Sequence, residues 1–242
     1  MARRPLLYYI TDRTAFAGDE AGRRRGLLDK IAEAARAGVD YIQLREKDLP
    51  ARALETLARE AVSAIHESRI ANSSFTSAAL INSRTDIAMA VAADGVHLRS
   101  DDISPQEVRE IWECAVLPTL RNHTVDFARD TLGVGQPGET SLPEPVIGVS
   151  CHSAQEVAHA EVNRASFTVF APIFEKRDSN ATPPAGLEKL RVACRAKIPV
   201  LALGGVNLSN AGSCLEAGAA GIAGIRLFQE NDVAQVVRRL CE

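Results

Sequence analysis

The stretch VIGVSCHSAQEVAHAEVN, residues 146–163, sets the fold. Val146–Ser150 is a short run rich in β-branched residues, the composition of a buried strand. Ser153 followed three residues later by Glu156 is a capping-box pattern that starts a helix. The apolar run beginning at Phe167 then opens a second strand. A strand, a helix and another strand in that order imply parallel pairing through a right-handed crossover.

The same unit recurs along the chain. Strands are predicted at Leu7–Thr11, Val39–Arg45, Ala79–Asn82, Gly95–Leu98, Val146–Ser150, Phe167–Pro172, Val200–Gly204 and Gly221–Ile225. Amphipathic segments fall between them, among them GLLDKIAEAARAG (26–38), ARALETLAREAVSAIHES (51–68), SPQEVREIWE (104–113), LEKLRVACRA (187–196) and VAQVVRRLCE (233–242). About eight such units in 242 residues predict an α/β fold of one domain, a (β/α)₈ TIM barrel, whose usual length is ~250 residues. An open doubly wound sheet is the alternative, but no GxGxxG follows the first strand. Residues 118–145, with GVGQPGETSLPEP, break the rhythm and predict an irregular insertion. Residues 175–185 predict a second loop after strand six.

Composition narrows the function classes. Hydrophobic content is 46%, charged content 24% and net charge −3, which supplies no basic footprint for nucleic acid or an anionic membrane. No stretch approaches the ~18 apolar residues of a membrane span, and the apolar run after MARRP is too short for a signal peptide. Five cysteines, an odd number without CxxC spacing, point away from a disulfide framework or a zinc site and toward a cytoplasmic protein. The sequence leaves the oligomeric state open, a homo-oligomer included.

In such a barrel the site is built at the C-terminal ends of the strands. The second strand ends in Gln43, Arg45 and Lys47, which alternation sends to one side. At the mouth they suit an anion or a polar ring; the bland alternative is a surface ion-pair cluster with Glu46 and Asp48. Asn82 and Arg84 close the third strand. His97 lies in the fourth, as a buried hydrogen-bonded ring or a catalytic one. Asp101 and Asp102 follow, where a helix N-terminus would also favour negative charge. Ser150 and His152 alternate onto one side of the fifth strand. A histidine there suits proton transfer near neutrality, although a solvated ring before a helix would look the same. Gly204 and Gly205 after strand seven, with Gly224 after strand eight, predict a phosphate-binding cradle, or tight turns alone.

In this order, YYITDR, DYIQLREK, LINSRTDIAMAVAADGVHL, VIGVSCHSAQEV, FAPIF, PVLALGGV and AGIAGIRLF resemble the thiamin phosphate synthase/TenI family of barrels. The resemblance covers nearly the whole chain outside 118–145. In the synthase branch, hydroxymethylpyrimidine pyrophosphate is joined to a thiazole phosphate, with Mg²⁺ and basic groups holding the pyrophosphate. The resemblance implies that Gln43, Arg45, Lys47 and Asn82 belong to that site. It further implies that Asp102 is a metal ligand, that Ser150 lies near the pyrophosphate, and that Gly205 lies in the thiazole-phosphate loop.

Two departures separate this chain from the synthase pattern. Ser83 stands where that pattern has a metal-binding Asp. Glu175-Lys176-Arg177-Asp178 replaces a loop rich in Thr, so that Lys176 or Arg177 can supply charge but no hydroxyl. Both departures favour the TenI branch, thiazole tautomerases that move a proton on a carboxythiazole phosphate without a metal. In that branch His152 matches the proton-transfer group. The expected function is therefore a thiazole tautomerase needing no cofactor. The alternative is a Mg²⁺-dependent thiamin phosphate synthase, and a third reading is a silent phosphate-binding barrel.

Overall fold

The computed structural model describes residues 4–71, 76–124, 144–175 and 183–241, with side chains described except at 70–71 and 115–124. Eight strands close into a barrel in chain order: β1 (Leu6–Ile10), β2 (Tyr41–Leu44), β3 (Ala78–Asn82), β4 (Gly95–Leu98), β5 (Val146–Cys151), β6 (Phe167–Phe170), β7 (Val200–Ala202) and β8 (Gly221–Gly224). Every neighbouring pair is parallel, and β8 returns to β1 with Tyr9 opposite Gly224. The barrel expected from the alternation is the fold.

Two apolar layers follow from period-2 alternation. Tyr8, Ile10, Leu80, Phe167, Val169, Leu201 and Ala223 fill the barrel interior. Their neighbours along each strand, such as Leu7, Tyr9, Ile81 and Ala202, face the surrounding helices. Inside, Tyr41 stacks on Phe167 with centroids 4.5 Å apart, and Tyr8 meets Phe167 edge-on at 5.3 Å. This aromatic plug supports the residues at the mouth above it.

The helices are α1 (Glu20–Ala37), α2 (Ala51–Ala71), α3 (Thr85–Ala90), α4 (Pro105–Thr124), α5 (Ala154–Val162), α6 (Gly186–Ala193), α7 (Ala211–Glu216), α8 (Arg226–Gln229) and α9 (Val233–Cys241). The start of α1 precedes the expected Gly26 because the Asp19 side chain accepts from the Gly22 N–H at 2.8 Å, an N-cap bond. Gly38 ends it with φ 88°. The alternation expects a helix between β3 and β4 without giving its bounds, and α8 is an extra turn it does not call for, since helices of six and four residues carry too little periodicity to read. Residues 118–124 of the expected irregular stretch continue α4, and 125–143 lie outside the described residues. Strand β7 stops at Ala202 rather than Gly204, because Gly204 takes φ 96° and leaves the extended region.

Candidate active site

At the C-terminal end of β1, Arg13 organises the loop after β2. Its guanidinium is nearly buried and forks onto Asp48, Nη1–Oδ1 2.6 Å and Nη2–Oδ2 2.8 Å. Its Nε donates to Glu20 at 2.7 Å, and its Nη1 and backbone N–H reach Glu46 Oε2 at 3.4 and 3.0 Å. The other oxygen of buried Glu46 accepts from the Thr11 hydroxyl at 2.6 Å, and that same hydroxyl oxygen accepts the Arg45 N–H at 3.0 Å. Glu46 and Asp48 are thus partners of Arg13. The ion-pair cluster considered for Gln43, Arg45 and Lys47 does not form with them. Sequence reasoning assigned Arg13 no role; its signal was a charged residue directly after strand one.

Arg45 and Lys47 stand just beyond β2, one half-buried and the other exposed. Arg99, beyond β4, lies close enough to act on Lys47, with its own guanidinium also facing Asp101 at 3.1 Å and Asp102 at 3.5 Å. The Arg45 charge foremost, then partial burial and the Arg99 charge, hold the Lys47 ammonium below its ordinary pKa. Like charges depress a cation in this way when they crowd one corner. Such a corner is suited to a polyanion. The sequence signal for Arg99, a basic residue directly after strand four, was overlooked beside the two aspartates.

Between β3 and β4, Asn82 lies opposite His97 in register. Ser83 takes a left-handed φ of 55°, and its hydroxyl donates to Asp102 Oδ2 at 2.7 Å. The Arg99 N–H donates to the same oxygen at 2.8 Å, while Arg99 Nε is 3.5 Å from Oδ1. Burial acts to raise the Asp102 pKa. It is outweighed by the bonds from Arg99 N–H and Ser83 and by the Arg99 charge, and the carboxyl stays below its usual value. Arg84 forks onto Asp86, Nε–Oδ1 2.8 Å and Nη2–Oδ2 2.6 Å. Its guanidinium is therefore engaged beside α3 and is not grouped with Arg45, Lys47 and Arg99.

His97 is buried at the centre of a polar chain. The Tyr8 hydroxyl lies 3.0 Å from its Nδ1, and its Nε2 lies 2.8 Å from Ser150 Oγ. Burial, reinforced by the Arg45 charge and opposed by Asp102, pushes the imidazole pKa down to about 3. The ring is neutral at physiological pH. Gln43, buried beside Tyr8, bears on the phenol hydroxyl, but its Nε2 forms no well-shaped hydrogen bond among the described residues. Gly148 makes the arrangement possible, since a Cβ there would sit 2.8 Å from His97 Nδ1 and 2.5 Å from Phe167 Cζ.

Ser150 and His152, expected on one side, make different contacts. Ser150 turns to His97, whereas His152 is exposed and its Nδ1 donates to the Ala171 carbonyl at 2.7 Å. Ser153 Oγ accepts the Glu156 N–H at 3.2 Å, and Glu156 reaches past the cap to accept the His152 N–H at 2.6 Å. The capping pattern read in the sequence therefore also anchors the His152 backbone. The Nδ1–H tautomer that the carbonyl imposes leaves Nε2 as the lone-pair nitrogen of a neutral ring.

The glycines after β7 have a packing reason that the sequence did not disclose. Gly204 and Gly205 have φ 96° and 67°. A Cβ on Gly204 would lie 2.7 Å from Pro172 Cα, and one on Gly205 would lie 2.7 Å from Glu175 O. The loops after β6 and β7 thus touch backbone to backbone. Gly224 ends β8 and packs against Leu227 of α8, the short extra helix that often flanks a barrel phosphate site. Lys176 lies outside the described residues.

A basic corner after β2 and β4, a polar chain ending on Ser150 and a glycine turn after β7 accompany a match of the thiamine monophosphate synthase profile to residues 7–130 and 128–228. The chain belongs to the thiamine monophosphate synthase (TMP-TENI) family. It is 36% identical over 225 residues to the thiamine-phosphate synthase of Moorella thermoacetica, covering 91% of this chain and 90% of that one. It is 32% identical over 237 residues to the thiamine-phosphate synthase of Syntrophomonas wolfei, covering 97% and 93%. Its fold matches a solved thiamine phosphate pyrophosphorylase from Pyrococcus furiosus with TM-score 0.69 and 27% identity, over 97% of this chain and 93% of that one. Membership makes the chain an enzyme of thiamin biosynthesis. The names of these relatives are those of the transferase, the alternative in the sequence reading, and not those of the tautomerase.

Membership of this family invites a test of the donor set for Mg²⁺. Asp102 offers one carboxylate, already accepting two hydrogen bonds on Oδ2 and facing a guanidinium at Oδ1. Among the described residues, no three His, Cys, Asp or Glu side chains gather to hold a metal. Mg²⁺ demands near-octahedral hard oxygen ligands, and this set does not fit a resident ion.

Proposed function

We propose that this enzyme is the transferase, joining hydroxymethylpyrimidine pyrophosphate to a thiazole phosphate. What supports the reading is two separate regions of the mouth, one cationic and one of glycine turns expected to take a phosphate. One is the corner of Arg45, Lys47 and Arg99 after β2 and β4. The other is the Gly204–Gly205 turn with Gly224, after β7 and β8. In an eight-stranded barrel closed in chain order, β4 and β8 face each other across the axis. A tautomerase substrate carries one phosphate and one carboxylate. The coupling must hold a diphosphate as well as a phosphate, and a corner of several cations matches that more highly charged anion.

In the reaction, the bond from the pyrimidine methylene carbon to the diphosphate oxygen breaks, and the diphosphate keeps the electron pair. The thiazole nitrogen lone pair forms the new carbon–nitrogen bond. Arg45, Lys47 and Arg99 neutralise the departing diphosphate, and Ser150 hydrogen-bonds it. The glycine turns hold the thiazole phosphate. Charge placed in advance where charge develops is the chief source of catalysis in such a site. No step is assigned to a metal, because the Asp102 set does not fit one.

His152 favours a second reading, the tautomerase. Its lone-pair Nε2 is a suitable base for a carbon acid, and a general base contributes about 10²- to 10⁴-fold. Incubating the purified enzyme with both substrates, in Mg²⁺ and in chelator, decides between them. Thiamin phosphate and inorganic pyrophosphate should form in equal amounts. Isomerisation of carboxythiazole phosphate without any coupled product would overturn the transferase reading.

A further inference from the structure

The polar chain through the barrel interior has a direction. Tyr8 is fully buried, so its hydroxyl hydrogen needs an acceptor inside the barrel. His97 Nδ1, 3.0 Å away, is the acceptor beside it. A neutral imidazole carries one N–H. With Nδ1 accepting, that hydrogen sits on Nε2 and points at Ser150 Oγ, 2.8 Å away. Ser150, half-buried at the rim, is then left with its hydroxyl hydrogen to donate outward.

The geometry points to Tyr8 and His97 as positioning residues that orient the Ser150 hydroxyl as a fixed donor to an anionic diphosphate oxygen bound at the mouth. The inference rests on the transferase reading for the identity of the anion, and on the interior bonds alone for the direction. A purely structural chain of buried groups would end on a backbone carbonyl, and an apolar pair in place of Tyr8 and His97 would be nearly neutral in stability. This chain instead ends on a side chain at the mouth. Gly148 forgoes a Cβ to admit it. His97 is no base for Ser150, since a neutral ring that donates through Nε2 has no lone pair facing the hydroxyl.

Two measurements test the inference. ¹⁵N NMR of histidine-labelled protein, with the His97 resonances assigned by His97→Gln, should show Nε2 protonated and Nδ1 bare; the opposite tautomer overturns the direction. Calorimetric titration with inorganic pyrophosphate should show Ser150→Ala weakening binding by about 10- to 100-fold, the range for a hydrogen bond to a charged group. Tyr8→Phe should weaken it comparably, and the double variant should be no weaker than Ser150→Ala. Wild-type affinity in Tyr8→Phe, or losses that multiply in the double variant, overturn the positioning role. Should Tyr8→Phe fail to fold, the tautomer in the wild-type protein still decides. Wild-type protein that binds no pyrophosphate refutes the transferase reading, and the tautomer then separately upholds or overturns the chain's direction.

Discussion

The Ser83 hydroxyl donates to Asp102 Oδ2 at 2.7 Å, from a residue held at φ 55°. A second carboxylate in place of that hydroxyl would lie against the first, repel it, and create paired hard oxygen ligands. Aspartate tolerates the left-handed region better than most residues. Ser83→Asp should therefore melt below wild type in chelator and recover more than wild type when Mg²⁺ is added. Thermal unfolding with and without millimolar Mg²⁺ measures this, and equal shifts in the two proteins would refute it.

Arg13 is the cation that balances buried Glu46 and holds Asp48. Removing one partner of a buried pair leaves an uncompensated charge, at a cost of about 3–5 kcal/mol. Because Thr11 and the Arg13 N–H also bond Glu46, Arg13→Ala should fall near the lower end. Arg13→Lys, which keeps the charge and loses the fork, should fall between it and wild type. Urea unfolding midpoints check the order. Pyrophosphate binding should weaken in parallel, since the same network positions the Arg45 backbone.

His97 makes stability depend on pH with a definite sign. Its folded pKa, about 3, lies below the unfolded value near 6.5. Between these values the unfolded chain takes up a proton that the folded ring refuses, so stability is full above pH 6.5 and declines as pH falls toward 3. The slope from this one group is at most about 1.4 kcal/mol per pH unit. His97→Gln should lose less stability than wild type between pH 7 and 4. Parallel curves for the two proteins would contradict the neutral buried ring.

Gly204 and Gly186 separate backbone strain from crowding. Both have positive φ, 96° and 75°. A Cβ on Gly204 meets Pro172 Cα at 2.7 Å, while one on Gly186 meets nothing within 4 Å. Gly186→Ala should cost about 1–2 kcal/mol for the left-handed conformation alone. Gly204→Ala should cost about 2–4 kcal/mol, with overpacking added. Denaturant titration of both variants measures the difference, and equal losses would show that the β6 and β7 loops yield freely.

Periodicity determined the barrel. Strand and helix patterns of 2 and 3.6 residues are local properties, and each stretch from Leu6–Ile10 to Gly221–Gly224 carries its own. The same logic placed Gln43, Arg45, Asn82, Ser150 and the glycine turns at strand ends, where a barrel builds its site. Tertiary structure decided which of these groups meet. Tyr8 and His97 are 89 positions apart in sequence, and closure of the sheet sets their bond. Arg13 drew Glu46 and Asp48 away from Arg45 and Lys47, and Arg99 reached that corner from β4. Ser150 and His152, alike in the alternation, parted because β5 ends at Cys151 and His152 belongs to the turn before α5. Alternation holds only while the chain remains a strand; past its last residue, side-chain direction is fixed by contacts with other strands, such as the Ala171 carbonyl at the end of β6.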